Sequence, residues 1–271
     1  MNDSPEPEGR SYSDFYSRFD SALMRQLRAE AYGTDIGQHS WVTAEELEED
    51  VPLLLLTEES TVLDLGCGPG GPLAFLVGML GCRGMGVDVS APAIASARNR
   101  AVSLDIATLV EFDEADLDAP LLFVDGLFDA AISLDVILHV RDRADLFREV
   151  ARVLAPKGRF LFTDAGIITG AVSDDDIRLR AVHGSTHFVP PGFNETMLER
   201  AGFRLLERKD RTASLLRNAR GRVAARYAHR AALEAVEGDT GFERQMRYLE
   251  TVVDLAQRSA VSRMTYVAQA P

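Results

Sequence analysis

Between residues 61 and 208, short apolar runs alternate with stretches that have helical periodicity. Successive parallel strands need a crossover of roughly a dozen residues or more, and the helical stretches supply it. The alternation therefore predicts a doubly wound α/β sheet, mostly parallel, with helices on both faces. The predicted strands are residues 61–65, 84–89, 107–112, 128–134, 159–163, 203–208 and 261–268, and the predicted helices between them are 72–80, 91–102, 143–154 and 194–201.

The segments outside this alternation predict a lid and an insertion. Aromatic and aliphatic residues recur at helical spacing from Tyr12 to Leu27, and Thr43 begins a sequence of capping-box form. Long connections inside a compact domain are usually functional, and residues 165–191 form one. The predicted segments are a disordered tail over 1–10, a helical lid over 11–56 and a main domain over 57–271, which contains an acceptor loop over 164–192 and a helical cap insertion over 212–258.

Composition excludes several classes of protein. The chain has 42 acidic and 29 basic residues, a net charge of −13, which argues against binding nucleic acid or an anionic membrane. Its two cysteines, Cys67 and Cys82, provide neither a disulfide framework nor a zinc motif. No apolar run approaches the roughly 20 residues that span a bilayer, and the N-terminus is polar and acidic. We expect a cytoplasmic protein, a monomer or homodimer, that acts on a small molecule.

A glycine-rich loop, VLDLGCGPGG over residues 62–71, lies between the first predicted strand and helix. Gly66, Gly68 and Gly71 formally match the dinucleotide fingerprint, and Asp88 lies where a ribose diol would be held. Taken alone, this pattern is compatible with NAD.

The charges around the loop favour a different ligand. Asp64 precedes the loop by two residues, and no arginine or lysine lies between Arg28 and Arg83. A carboxylate repels a pyrophosphate but suits a ligand with an ammonium and a sulfonium, such as S-adenosylmethionine. The structural alternative is that Asp64 only caps its own turn.

Three segments together resemble the motifs of the class I S-adenosylmethionine-dependent methyltransferases: VLDLGCGPGG over residues 62–71, GMGVDVS over 84–90 and VEFDEADL over 110–117. The resemblance covers about residues 40–210. It implies S-adenosylmethionine as the cofactor and a Rossmann-like seven-stranded sheet whose last two strands are antiparallel. In that family the second motif holds the ribose hydroxyls and the third the adenine. The implied cofactor-binding residues, with one contact from the lid, are Asp64, Gly66, Cys67, Gly68, Asp88, Val89, Asp116, Leu117, Ser133 and Trp41.

The segment after the fourth strand, SLDVILH over residues 133–139, predicts the acceptor side. Asp135 and His139 share a face if this turn is helical, so that the first could hold a cationic amine and the second take a proton. The segment resembles a motif of phosphoethanolamine N-methyltransferases, in which the histidine pairs with a tyrosine of the N-terminal helix. The resemblance implies His139 and Tyr16 as catalytic, with Tyr12 as second choice; ordinary packing is the alternative for all three.

The long loop departs from that family, whose phosphate is bound by tyrosines and a lysine, because residues 165–191 contain neither type. Arg178 and Arg180 could serve an anion there or be solvated. His183 and His187 are predicted to contact substrate, with a structural role as the alternative. Their spacing also fits a metal pair, but no third ligand accompanies it, so no metal site is predicted.

The lid segment YGTDIGQHSW, residues 32–41, also resembles glycine, sarcosine and dimethylglycine N-methyltransferases. We therefore predict in-line methyl transfer to a small molecule in a closed pocket, with an amine nitrogen as acceptor. Methylation of carbon or oxygen in a natural-product scaffold is the alternative. A nicotinamide enzyme and a cofactor binder without activity are the other classes, disfavoured by Asp64 and by His139, respectively.

Overall fold

A seven-stranded sheet forms the centre of the structure, a computed structural model that describes residues 16, 18–181 and 185–271. Its strand order is β3-β2-β1-β4-β5-β7-β6. The first five strands are parallel, and β7 is antiparallel to both of its neighbours. The strands are β1 Thr61–Leu65, β2 Arg83–Asp88, β3 Val110–Glu114, β4 Phe128–Leu134, β5 Leu154–Ile168, β6 Arg204–Asp210 and β7 Val261–Gln269.

Nine helices within the described residues accompany the sheet. They are α1 Ala22–Tyr32, α2 Ala44–Asp50, α3 Gly71–Leu80, α4 Ala91–Ser103, α5 Arg143–Val153, α6 Asp174–Arg180, α7 Phe193–Arg200, α8 Thr212–Ala228 and α9 Arg230–Gln257. Apolar side chains fill both faces of the sheet, as the doubly wound prediction requires. The predicted fold, including the antiparallel last pair, is confirmed. No helix in the described ranges is long and apolar enough to cross a membrane.

The predicted lid helix is interrupted by a turn at residues 18–20. Helix α1 begins after Ser21, whose hydroxyl accepts a hydrogen bond from the Met24 backbone N–H, and ends at Gly33 as predicted. The tail over residues 1–10 and Tyr12 lie outside the described residues. Thr43 caps α2 as expected, but the side chain of Glu46 pairs with Arg263 instead of completing the capping box.

The insertion forms two long helices that pack against the lid. Helix α9 is broken at Gly238, which has a φ of 71°. Trp41 of the lid lies among apolar side chains of both insertion helices, including Leu215, Ala219 and Leu249. Leu27 of α1 packs with a second group from the same two helices. Lid and insertion therefore share apolar cores, which places the lid beside the carboxyl edge of the sheet, where ligands of such folds bind.

Candidate active site

The glycine loop after β1 bends sharply because its glycines adopt a left-handed backbone. Gly66 has a φ of 73°, and a Cβ there would lie 2.5 Å from Cγ1 of Val136. Asp88, at the end of β2, holds the loop in place: one carboxylate oxygen accepts a hydrogen bond from the Gly68 N–H, and the other from the Ser90 N–H, both at 2.9 Å. The loop and the second predicted acid thus form one unit.

Asp64, two residues before this loop, is a buried carboxyl that has no partner in the part of the chain that the structure describes. Its side chain is almost fully buried, and it forms no hydrogen bond or ion pair with any described residue. Burial, and then the nearby charge of Asp88, raise the pKa of Asp64 to about 8. A cationic group placed here would pair with a carboxylate that nothing else in the described chain neutralises.

One basic side chain does reach the loop from elsewhere in the chain. The Nε of Arg100, on α4, donates a hydrogen bond to the Pro69 carbonyl at 3.0 Å. Its charge is opposed by Asp20 of the lid, with which it forms an ion pair. Along the chain the loop has no basic neighbours, as the sequence argument states. In space, the described residues bring Arg100 to the loop, and the charge of Asp20 opposes it.

The backbone of the lid presses directly on the first turn of α3. A Cβ on Gly71 would lie 2.3 Å from the carbonyl oxygens of Ile36 and Gly37. Arg28 stabilises this approach, because its guanidinium donates to Asp35 and to the Phe19 carbonyl. The close approach of the lid therefore requires a glycine at position 71. The match of the loop to the dinucleotide fingerprint did not predict this role.

Tyr16 lies over the loop and pairs with a histidine that the sequence did not indicate. A Cβ on Gly68 would be 3.4 Å from the Tyr16 hydroxyl oxygen, which is 3.1 Å from Nδ1 of His39. His39 lies within the lid segment that carried the sarcosine-type resemblance, but no spacing connected it to Tyr16. The pairing of Tyr16 with His139 stays a prediction.

Asp135 is held by hydrogen bonds within the fold, and its contact to an acceptor amine stays a prediction. Its carboxylate accepts hydrogen bonds from Nε of Arg263 at 2.9 Å, the Trp41 N–H at 2.8 Å and the Thr163 hydroxyl at 2.9 Å. Both oxygens are therefore engaged within the chain. Asp135 has a φ of 62° and precedes the short 3-10 turn Ile137–His139, so it does not share a helical face with His139.

Trp41, predicted as a cofactor contact, is engaged within the chain on several sides, and the cofactor contact stays a prediction. Its N–H donates to Asp135, its carbonyl accepts from the Asn218 amide at 2.7 Å, and its ring stacks on Tyr248 with centroids 6.5 Å apart. Arg222 lies over the ring, 4.7 Å from its centroid. The indole is part of the core between lid and insertion.

His139 lies where the sequence predicted, after β4, and its tautomer can be assigned. Nδ1 is 2.8 Å from the Ser185 carbonyl, which can only accept, so the neutral ring carries its proton on Nδ1 and a lone pair on Nε2. Burial lowers the pKa of His139 below the ordinary 6.5, although the hydrogen bond to Ser185 opposes that effect. The imidazole is therefore neutral at pH 7 and able to accept a proton.

The two histidines of the long loop have different outcomes. His187 is attached to the turn that carries His139, because its N–H donates to the Leu138 carbonyl at 2.7 Å. Its Nε2 is buried and has no hydrogen-bond partner among the described residues. His183 lies outside the described residues. A substrate role for either remains a prediction.

The remaining predicted cofactor residues surround the loop. Val89 is exposed, Asp116 is exposed with one oxygen accepting from the Asp118 N–H, and Leu117 is half-buried. Cys67 is buried, which raises the pKa of its thiol. Ser133 is fully buried, and its hydroxyl donates to the Leu65 carbonyl at 2.9 Å, so its side chain stabilises the sheet. Their contacts to a cofactor stay predictions.

Comparison with known proteins assigns the family. Residues 63–162 match the profile of the methyltransferase-domain family. The chain is also 30% identical over 203 residues to a sarcosine/dimethylglycine N-methyltransferase from Halorhodospira halochloris, an alignment that covers 72% of this chain and 67% of that protein. The chain belongs to the S-adenosylmethionine-dependent methyltransferases. This membership confirms the resemblance drawn from the three motifs.

Other members of the family are similar over smaller shares of their length. Methyltransferase GfsG from Streptomyces halstedii is 34% identical over 155 residues, which cover 55% of this chain and 54% of GfsG. The chain spans only 34% of the length of a maize phosphoethanolamine N-methyltransferase that it also matches. Among solved structures, phosphoethanolamine N-methyltransferase 2 from Haemonchus contortus superposes with a TM-score of 0.80 at 18% identity, over 99% of this chain and 61% of that one. At this identity the superposition describes the fold.

Proposed function

We propose that this methyltransferase transfers the methyl group of S-adenosylmethionine to an amine nitrogen of a small acceptor, inside a pocket closed by the lid. The observation that carries the proposal is Asp64, a buried carboxyl at the glycine loop without a partner in the described chain. A pyrophosphate would add negative charge beside Asp64 and Asp88, whereas an ammonium would neutralise it. The site therefore favours S-adenosylmethionine over NAD.

The residues around the loop fit this cofactor. Asp64 would hold the ammonium, and Asp88, already fixed by two backbone N–H groups, would hold the ribose hydroxyls. Val89, Asp116 and Leu117 would flank the adenine. When bound, the cofactor supplies a methyl group activated by its positive sulfur.

The chain's own residues then have three tasks: to orient the acceptor, to exclude water and to accept a proton. The lid excludes water, because its backbone lies on α3 and Tyr16 lies over Gly68. His139 is the proposed base, since an ammonium acceptor must lose a proton before its lone pair can attack, and the neutral imidazole has a lone pair on Nε2. Two of the similar proteins are named as N-methyltransferases, of phosphoethanolamine and of sarcosine and dimethylglycine, and this supports an amine acceptor.

The test is incubation of the purified chain with methyl-labelled S-adenosylmethionine and a panel of small amines, alcohols and carbon acids, with products identified by mass spectrometry. Label on a nitrogen is the expected outcome. Label confined to oxygen or carbon would overturn the amine assignment and leave the methyltransferase. Calorimetry that detects NAD binding but no S-adenosylmethionine binding would overturn the whole proposal.

A further inference from the structure

Arg180, the last residue of α6, is a buried cation that has no carboxylate partner among the described residues. Its side chain is 5% exposed. Among the described residues it forms no ion pair, and its hydrogen bond is from Nη1 to the Tyr248 hydroxyl at 3.1 Å. Removing a guanidinium from water is costly unless an opposite charge replaces that water.

The other buried arginines of the described chain show what Arg180 lacks. Each has a carboxylate within 4 Å; the pairs are Arg28 with Asp35, Arg143 with Asp164, Arg226 with Glu237, and Arg263 with Asp135 and Glu46. Arg178, two residues before Arg180 on the same helix, is exposed and pairs with Asp175. Among the buried arginines of the described chain, Arg180 alone therefore lacks a carboxylate partner, and its helix is not the cause.

Arg180 lies at the acceptor side of the proposed site. Its positive charge acts on His139 and lowers the pKa of that imidazole further. Its guanidinium lies 5.3 Å from the ring centroid of Tyr248, and Tyr248 stacks on Trp41. Arg180 is thus near the proposed base and at one end of an aromatic pair.

A second cation that has no carboxylate partner among the described residues lies at the other end of the aromatic pair of Trp41 and Tyr248. Arg222 of α8 lies over the Trp41 ring and forms no ion pair with a described residue. It also lines a small cavity of about 40 Å³ together with Tyr32 and His39. Asp135, which accepts a hydrogen bond from the Trp41 N–H, is already paired with Arg263. Among the described residues, Arg180 and Arg222 at the two ends of the Trp41–Tyr248 pair therefore have no carboxylate partner, whereas Asp64 at the glycine loop has no cationic partner.

We propose that Arg180 binds an anionic group, a carboxylate or a phosphate, on the methyl acceptor, so that the acceptor is a small molecule with both an amine and an anion. This inference rests on the proposed function and narrows its substrate class. A planar guanidinium matches either anion through paired hydrogen bonds. With the anion at Arg180, the amine at the other end of a short acceptor is directed towards His139, and a neutral amine lacks that orientation.

Steady-state methyl transfer to three acceptors tests the proposal: ethanolamine, its phosphate ester and glycine. The last two carry a phosphate and a carboxylate, so the comparison also separates these sources of the anion. We expect one anionic acceptor to be preferred over ethanolamine. Arg180→Gln should raise its KM about 10- to 100-fold, the scale of a lost charge-assisted hydrogen bond, with kcat changed far less. Arg180→Lys should recover part of the loss, and Arg178→Gln is the matched control, expected to equal the wild type.

A measurement without turnover uses inorganic phosphate or acetate as the probe and follows the His139 imidazole by NMR as a function of pH. Among the described residues, the charged or titratable groups that act on this ring are Arg180, Asp164 and His187. An anion bound at Arg180 should raise the pKa of His139. In Arg180→Gln the pKa should already be raised and should no longer respond to the anion. A purely structural Arg180 would give no anion-dependent shift.

Equal KM values for ethanolamine and the anionic acceptors in the wild type, with an His139 titration that phosphate and acetate do not move, would overturn the inference. A phosphate-dependent shift without methyl transfer to any acceptor would instead overturn the proposed function and retain Arg180 as an anion site. If Arg180→Gln does not fold, Arg180→Lys carries the comparison, since a lysine keeps the charge but loses the paired geometry.

Discussion

At the scale of single residues, the raised pKa of Asp64 makes its predicted contact with the cofactor testable. With a pKa of about 8, this carboxyl is mostly protonated at pH 7 in the free protein. The ordinary value is 3.8, so the folded chain keeps a proton that the unfolded chain has released between about pH 4 and pH 8. The stability of the cofactor-free protein that depends on Asp64 is therefore present at low pH and lost as pH rises towards 8.

A cationic ligand at Asp64 should reverse this protonation. We predict that binding of S-adenosylmethionine at pH 7 releases about one proton, because the ammonium favours the carboxylate. Calorimetry in two buffers with different heats of ionisation measures the number directly. Asp64→Asn should abolish the release and weaken binding by about 1.5–3 kcal/mol, whereas Asp116→Asn, at an exposed carboxyl, should leave the proton release intact. Proton-neutral binding by the wild type would contradict the assignment of the ammonium to Asp64.

The second prediction at this scale concerns the base. His139→Ala should lower turnover by roughly 10²–10⁴-fold and change cofactor affinity little. Because burial lowers the pKa of His139, the acidic limb of the pH–rate profile should lie below pH 6.5, with activity lost as pH falls through it. His139→Asn keeps a hydrogen-bonding side chain but cannot take the proton. Near-normal turnover in that variant would make His139 an orienting residue.

At the scale of elements, the contact between the lid and α3 is made by backbone atoms. A glycine-to-alanine substitution, which adds one methyl group, can therefore test it. Gly71→Ala would place a Cβ 2.3 Å from two lid carbonyl oxygens. We predict that it displaces the lid, raising hydrogen exchange over residues 34–43 and weakening cofactor binding. Gly78→Ala, on the same helix with nothing within 4 Å of its Cβ, should leave both unchanged and stabilise the helix by about 0.5–1 kcal/mol. Equal behaviour of the two variants would show that the lid does not depend on this contact.

Elements whose signals are local were predictable from sequence. The bounds of β1 and β4 were predicted correctly, because each is a compact apolar run between turn residues. Strand β5 was predicted as residues 159–163 but extends over Leu154–Ile168. At its start Leu154 pairs with Phe128 of β4, and at its end antiparallel pairing with β7, a strand distant in sequence, continues to Ile168. Strand β3 begins at Val110 and not at residue 107, because the residues before it form a turn after α4.

The residues of the candidate site also fall into those that local sequence could predict and those that depend on tertiary contacts. The glycine loop and Asp88 are close in sequence and obey spacing rules, so their association could be predicted. The partners of Asp135 lie on the lid and on β7, 94 and 128 residues away, and no pattern along the chain connects them. The contact of His39 with Tyr16 likewise depends on the tertiary structure, as does the absence of a carboxylate beside Arg180 among the described residues. The sequence therefore predicted a ligand contact for Asp135 but could not predict its ion pair with Arg263 of the same chain.

At the scale of the whole molecule, one buried network joins the lid to the sheet. Arg263 of β7 is fully buried and pairs with Asp135 after β4 and with Glu46 of α2, while Asp135 also accepts the Trp41 N–H. Lid and sheet therefore meet at one guanidinium, and Asn218 of the insertion joins the same junction through the Trp41 carbonyl. Breaking such a network leaves charges buried and incompletely paired, which is more costly than the pair is stabilising.

Trp41, the only tryptophan of the chain, reports on this junction. In denaturant, its fluorescence and the far-UV circular dichroism of the wild type should show one coincident transition, because the lid shares cores with the insertion and charges with the sheet. Asp135→Asn keeps the shape but removes the charge facing Arg263 and weakens the bond from the Trp41 N–H. We predict a loss of about 1.5–3 kcal/mol in the free energy of unfolding, with the fluorescence transition moved to lower denaturant than the dichroism transition. Glu111→Gln, at an exposed position on β3, is the control and should shift neither. Transitions that stay coincident and unshifted in Asp135→Asn would mean that apolar packing alone holds the lid to the sheet.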